Sequence, residues 1–515
     1  MSIQYVGYKG GQRIYTTDGA ADPHMAYGVG RFVWVRGRAD ADPAAVIFAA
    51  GKLVPIGAMY NGSTIIKPRE RIASKINWGG TLAVTSSMAA NQPDGSILFS
   101  NQNFRSDDPA GSPAVSIQTT RKVRFEGCNF FGYGGYGANA GLVTSTTPGC
   151  RVSLKNCIGF SGNSGTAGSF AGRFVALSSW AFFEMMNCES YHTLGVGLVG
   201  YAGNHTSADS LYMAFNDFYD IDGRVSSGGT GYRTGNNGGT DFIFAQVLQL
   251  AQSQGVPGEL AYNRANNRAG QSRIEDMYNI NASGGISTSQ PLWLHHNLWR
   301  GAYSYDAAYV DGVSTTYGNN AAGPTQPGLF YSGGGGLISD GASQTAGDAS
   351  QDPCYILSED NVHLDSMNYL TGIGSGHHQT LRRETCASSG YAHNFAANVK
   401  LSRAGTPVQI QDYATGFEPG RWGNHLIRDM VCGMWWFDPQ NGGAQGRKDF
   451  FIDDTLRNND RDAQGNLIHP TWVMAGTYSA TNNINLPVQT RAQVDQYAID
   501  WAAARAGEGR VIGAV

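Results

Sequence analysis

The chain carries little charge for its length. Of 515 residues only 15% are Asp, Glu, Lys or Arg, and the formal net charge is −4. It has no basic stripe and no arginine-rich arm, so nucleic acid is not an expected partner. It has no run of about 20 apolar residues, so no membrane span is expected. The opening residues, Met1 to Gly11, lack the apolar stretch of a signal peptide. The seven cysteines are an odd number and contain no Cys-x-x-Cys pair, which argues against zinc. The protein is therefore expected to be made in a reducing cytoplasm and to reach the outside, if at all, by lysis.

Glycine is abundant instead. Seventy glycines are about twice the average share, the mark of a turn-rich β protein with long neutral loops. Residues 123–221 hold four runs that resemble one another. They are Val123-Arg124-Phe125-Glu126-Gly127-Cys128-Asn129-Phe130, Val152-Ser153-Leu154-Lys155-Asn156-Cys157, Phe182-Phe183-Glu184-Met185-Met186-Asn187-Cys188 and Leu211-Tyr212-Met213-Ala214-Phe215-Asn216-Asp217-Phe218. Each alternates apolar with polar or small residues, the period of a strand with one buried face. Asn156, Asn187 and Asn216 recur at about 30 residues, a repeat-architecture period. Asn tolerates the left-handed backbone, so it suits a sharp bend between strands. The pattern predicts a parallel β-helix, with these asparagines stacked on successive coils. Half-buried strands of a sandwich would also alternate, but would not repeat the Asn. Cys128, Cys157 and Cys188 fall at the same strand ends and are expected to be buried, stacked thiols.

The coil is expected over residues 1–435, with insertions at 222–271 and 301–352, and an irregular region over 436–515. Phe242–Gln252 reads as a helix on the first insertion, capped by Thr240 or Asp241. Arg491–Ala506 reads as a helix that caps the open end of the solenoid. The repeat resumes with Arg273–Asn279, Leu292–Arg300 and Tyr355–Asp365, and later rungs are expected at Ala396–Leu401, Val408–Tyr413 and Leu426–Cys432.

Several stretches resemble pectate-lyase-like polysaccharide lyases. Ala45–Leu53 resembles their early strand pair, Asn101–Asp108 their arginine-phenylalanine-arginine-then-aspartate region, and Val115–Gln118 with Val123–Phe130 a recurrent rung. Thr490–Asp495 and Gly507–Ile512 resemble the family's tail. The resemblance implies a right-handed parallel β-helix that depolymerises an acidic glycan by lyase chemistry. It also implies a virus-borne relative, a tailspike or depolymerase, with a homo-trimer or virion as its assembly. A non-catalytic β-helix that binds glycan or builds a virion spike or capsid decoration is the alternative. Glu126-Gly127 stands where the family has Asp-His, Pro113 and Ala114 where an Asp is usual, and the acids between Gly132 and Ser145 are missing. In the family those acids hold calcium, which needs about six oxygen ligands, so no calcium site and no cofactor are expected.

Lyase chemistry needs a cation for the sugar carboxylate, a base and an acid. Arg173 resembles a functional arginine of the family and is expected to face outward in a groove with Glu126 or a neighbouring rung's polar residues; a surface ion pair is the bland alternative. His295 and His296 with Arg300 form a second group, in which strand alternation puts one histidine inside and one outside. Glu275, Asp276 and Glu359, with Asp360 and Asp365, form a third, a glycosidase-like carboxylate set or simply solvated acids. His377-His378 has no acidic neighbour in sequence, and no metal is expected there. Tyr303, Tyr305, Tyr309, Tyr317 and Tyr331 crowd one loop, where they fit either sugar stacking or a subunit interface.

Overall fold

The structure, a computed structural model, describes residues 76–302 with breaks at 135–140, 230, 234–238 and 268–271. Beyond these it describes residues 353–366 and 376–387, separate strands on both sides, and the helical residues 496–500.

Three sheets carry the fold, here called I, II and III. Sheet I has nine strands from Leu82–Thr85 to Thr371–Ile373, sheet II eleven from Ile97–Ser100 to Tyr478–Thr481, and sheet III twelve from Ile76–Gly79 to Ile484–Leu486. The chain visits III, I and II in turn: Ile76–Gly79, Leu82–Thr85 and Ile97–Ser100 are followed by Gln102–Arg105, back in sheet III. Neighbouring strands within each sheet are parallel. The protein is a right-handed parallel β-helix, the hand that parallel crossovers take.

The alternation explains the core. On sheet I, Val115, Val143, Val175 and Val196 stack in register and are fully buried. Removing such side chains from water stabilises by about 1.5–3 kcal/mol each. At the corner into sheet III, Phe99 stacks on Phe125 at 5.4 Å and Phe104 on Phe130 at 5.3 Å. Gly159 stands next on the Phe130 row because a Cβ there would meet the Phe174 ring at 2.5 Å.

The bend between sheets II and III is left-handed on coil after coil: Asn156, Asn187, Phe215, Tyr262, His296 and Asp360 have φ between 52° and 58° or close to it, at 53°, 52°, 58°, 58°, 54° and 56°. Asn156 and Asn187 occupy this position and bond to each other, Asn187 Nδ2 donating to Asn156 Oδ1 at 2.6 Å. Asn216 departs from the expected stack. It lies one residue later, in register with Cys188, whose backbone N–H donates to Asn216 Oδ1 at 2.9 Å. Asn tolerates the bend but also satisfies buried backbone inside it, and sequence spacing does not separate the two roles. From Asn216 onward the inner position holds Asn263, Asn297 and Asn361, each carboxamide oxygen accepting the N–H of the coil before. Cys128, Cys157 and Cys188 fill the inner position on the three earlier coils, buried and unpaired.

Four expectations need correction. Phe242–Gln252 is not a helix: Gln246–Ala251 is a strand of sheet I, with Leu248 and Leu250 facing the core. Its apolar residues fit either period, and pairing with Gly195–Val199 decides for the strand. The coil is not interrupted by residues 222–271, since Gly258–Ala261 and Arg264–Asn266 continue sheets II and III. It also does not begin at residue 1. The strands between Ile3 and Ile66 pair antiparallel, and Val46–Ala49 with Lys52–Pro55 is a hairpin. Finally, the coil passes residue 435, since Tyr478–Thr481 and Ile484–Leu486 still pair in sheets II and III. The rungs expected at Ala396–Leu401 and Val408–Tyr413, and most of the proposed capping helix, lie outside the described residues.

Candidate functional site

Outward positions of sheet III form a row in register: Arg105, Phe131, Phe160, Tyr191, Tyr219, Asn266 and Arg300. Phe160 is 46% exposed. Tyr191 and Tyr219 stack at 4.9 Å, and each donates its hydroxyl to the carboxylate two residues before it, Glu189 at 2.9 Å and Asp217 at 3.1 Å. Arg264 binds both oxygens of Asp217, at 2.7 and 2.8 Å, and the Tyr219 hydroxyl at 3.1 Å.

A cleft of about 650 Å³ opens beside the first half of this row. Arg105, Asp107, Phe131, Tyr133 and Phe160 line it, together with the loop 163–165, His192, Asp222, Arg224, Gly229 and Tyr232. His192 follows the strand Glu189–Tyr191 in a left-handed bend, φ 51°, and its ring meets the Phe160 ring edge-on at 5.8 Å. The hairpin of Ser226–Gly228 and Gly231–Tyr232 is zipped to the earlier loop. Gly168 N–H donates to Ser226 O, Ser226 N–H to Ser169 O and Gly229 N–H to Gly165 O, each at 2.8 Å.

Asp222 and Arg224 are both buried and hold each other. Arg224 Nε lies 2.8 Å from both carboxylate oxygens, and its backbone N–H donates to Oδ1 at 3.0 Å. The guanidinium stands 4.0 Å over the Tyr232 ring. Burial pushes the Asp222 carboxyl above the usual carboxylate range, against the pull of Arg224 and, more weakly, of His192. Arg105 differs. Its ion pair with Asp107, 2.6 Å, leaves the two side chains 64% and 65% exposed.

The residues singled out from the sequence do not meet in this cleft. Arg173 does lie on the outside of sheet I, over Gly197, whose Cβ would stand 2.7 Å from Arg173 Cδ. It is nevertheless buried. It donates to Leu194 O, Phe244 O, Gln246 Oε1 and Gln249 Oε1 at 3.2, 3.2, 3.0 and 2.7 Å. The segment leading into Gln246–Ala251 roofs it, and burial lowers the guanidinium pKa to about 10. Glu126 belongs to sheet II and pairs with Arg124 at 2.7 Å, so no groove joins it to Arg173.

His295 and His296 are both buried, not one inside and one out, because His296 occupies the left-handed bend. His295 Nε2 lies 2.9 Å from Glu259 Oε1, and the two Nδ1 atoms are 3.0 Å apart. Arg300 sits in sheet III, in register with Asn266 and Leu364. The carboxylates are likewise scattered. Asp276 is buried in sheet I, and Glu275 accepts a bond from Gln246. Glu359 is buried in sheet II between Trp293 Nε1 at 2.8 Å, Arg382 Nε at 2.5 Å and Arg383. Tyr303, Tyr305, Tyr317 and Tyr331 lie outside the described residues, and Tyr309 is described only as part of a two-residue strand.

His192, Asp222, Arg224 and Tyr232 escaped the sequence reading because they sit in bends and a hairpin, where no period marks them. The available signal was the dense polar run after the Tyr219 strand, Asp220-Ile221-Asp222-Gly223-Arg224. Among the described residues no group of three His, Cys, Asp or Glu is placed to hold a metal ion, and no helix is long and apolar enough to cross a membrane.

No family model and no curated protein matches the chain. Among solved structures the chain aligns with the crystal structure of the periplasmic alginate epimerase AlgG, at 7% identity over 79% of this chain and 84% of that one. The TM-score is 0.24, and a likeness at that level says nothing about shared chemistry.

Proposed function

We propose that the protein binds a polysaccharide on the outer face of sheet III and acts on it in the cleft. The observation that supports this is the exposed Phe160 ring in the lining of a cleft that also carries His192, Tyr133, Asn163 and charged groups. Sugar sites combine an aromatic surface for the apolar ring face with fixed polar groups for the hydroxyls. The volume of about 650 Å³ falls in the usual range for ligand sites.

An acidic glycan and lyase-type proton abstraction are the finer form of the proposal. His192 would remove the proton beside the sugar carboxyl, and the Tyr133 hydroxyl would assist the leaving oxygen. A two-carboxylate hydrolysis fits less well, because Asp222 has both oxygens on Arg224. Incubation with a panel of acidic polysaccharides, read by absorbance of the unsaturated product and by reducing ends, tests it. A product that His192→Ala reduces by about 10²-fold or more is expected; full activity in that variant removes the assignment.

The second reading is glycan binding without turnover, as in a virion spike or capsid decoration. Glu126-Gly127 and Pro113-Ala114, which stand where the resembled family has its Asp-His and a calcium acid, favour it. Glycan bound without any product supports it. Carriage on a virus particle as a homo-trimer enters through the sequence resemblance, and sedimentation of the purified chain as a monomer removes the trimer.

A further inference from the structure

We infer that Arg105 is the residue by which the cleft selects a carboxylate-bearing sugar, and that Arg224 is not. The inference rests on the glycan reading above and deepens it. Two arginines line the cleft. Arg224 is buried to 7% side-chain exposure, holds Asp222 through Nε and Nη2, and stands 4.0 Å over the Tyr232 ring. For it to receive a ligand, the Asp222 carboxylate would have to stay buried without its cation, which is strongly unfavourable. Arg224 is therefore a positioning residue that fixes the hairpin wall.

Arg105 has the opposite setting. Its contact with Asp107 is a single Nε–Oδ1 bond in open solvent, and such pairs are weak and screened by salt. A guanidinium carries five N–H donors and prefers two-point contact with a carboxylate. A ligand that offers such contact can displace or share Asp107 at little cost. Position supports the assignment too. Arg105 is in register with Phe131, and Phe131 with Phe160. A sugar ring against these aromatics therefore lies one or two strand spacings, each about 4.8 Å, from the arginine backbone, within reach of its side chain.

The test is calorimetric titration of the full chain with a uronate oligosaccharide and with the same oligosaccharide reduced at its carboxyls to alcohols. Wild-type protein should bind the uronate form at least tenfold more tightly, with an affinity that falls as salt rises. Arg105→Ala should lose that preference and the salt dependence while binding the reduced oligosaccharide as wild type does. Arg105→Lys should keep the salt dependence and recover only part of the preference, because Lys lacks the planar fork. Wild-type protein that binds both forms equally, or an Arg105→Ala variant that keeps the preference, overturns the role of Arg105 and leaves glycan binding standing. Wild-type protein that binds neither form overturns the glycan reading and this inference with it.

Discussion

Arg173 and Arg105 both lie on outer faces of the β-helix, and their settings are opposite. Above sheet I, Phe244 supplies a carbonyl oxygen and Gln246 and Gln249, in the strand Gln246–Ala251, supply carboxamide oxygens to the buried Arg173 guanidinium. Above sheet III, Arg105 and Phe160 meet solvent. Sheet II resembles sheet I in this respect: Lys155 and Glu184 face outward between core positions, yet are 1% and 0% exposed, 3.0 Å apart. Outward on a β-helix is thus not the same as exposed. Buried charge is matched within the protein; charge in the open is available to a ligand.

The covered faces should give the largest effects on stability. Lys155→Met leaves Glu184 buried without its cation, and a loss of about 3–5 kcal/mol is expected, measured by denaturant unfolding. Arg173→Ala strands several buried acceptors and should cost about 2–4 kcal/mol. A loss under 1 kcal/mol would show that the roof over Arg173 opens in solution. On the open face the balance reverses. Phe160→Ala should change stability by no more than about 0.5 kcal/mol while weakening glycan binding tenfold.

Acid sharpens the comparison further. The Asp222 carboxyl is raised by burial, so its folded pKa exceeds its unfolded one. Its contribution to stability is full below the ordinary carboxylate range and is lost as pH rises through the folded pKa. Asp222→Asn should therefore remove a decline in melting temperature just above that range; an unchanged profile contradicts the shift. The smallest effect is expected from chelator, which should leave the melting temperature unmoved. A site held at a hundredfold excess of calcium over its Kd would add about 2.7 kcal/mol, and losing that would be plain.

Much of the fold was legible because inward alternation and the coil repeat are local signals. The runs at 123–130, 152–157, 182–188 and 211–218 are each a sheet II strand and the bend after it, and the first and last also reach the start of sheet III. Local signals also set the limits. Asn216 serves the inner ladder rather than the bend, one residue from where Asn187 sits. Phe242–Gln252 carries apolar residues that suit a helix until its parallel partners are known. The site was harder still, because Arg105, Phe160, His192 and Arg224 come from four coils and meet only when these stack. Arg173, His295 and Glu359 attracted notice for their charge, but charge in a sequence does not reveal what will cover it.

The central claim is that ligand meets the open face of sheet III, and amide hydrogen exchange with and without an acidic oligosaccharide tests it most directly. New protection is expected in residues 103–107, 131–133, 160–165 and 222–232, with sheets I and II unchanged. Protection that appears instead around Arg173, or around His295 and Glu359, with the cleft unaffected, would contradict the account.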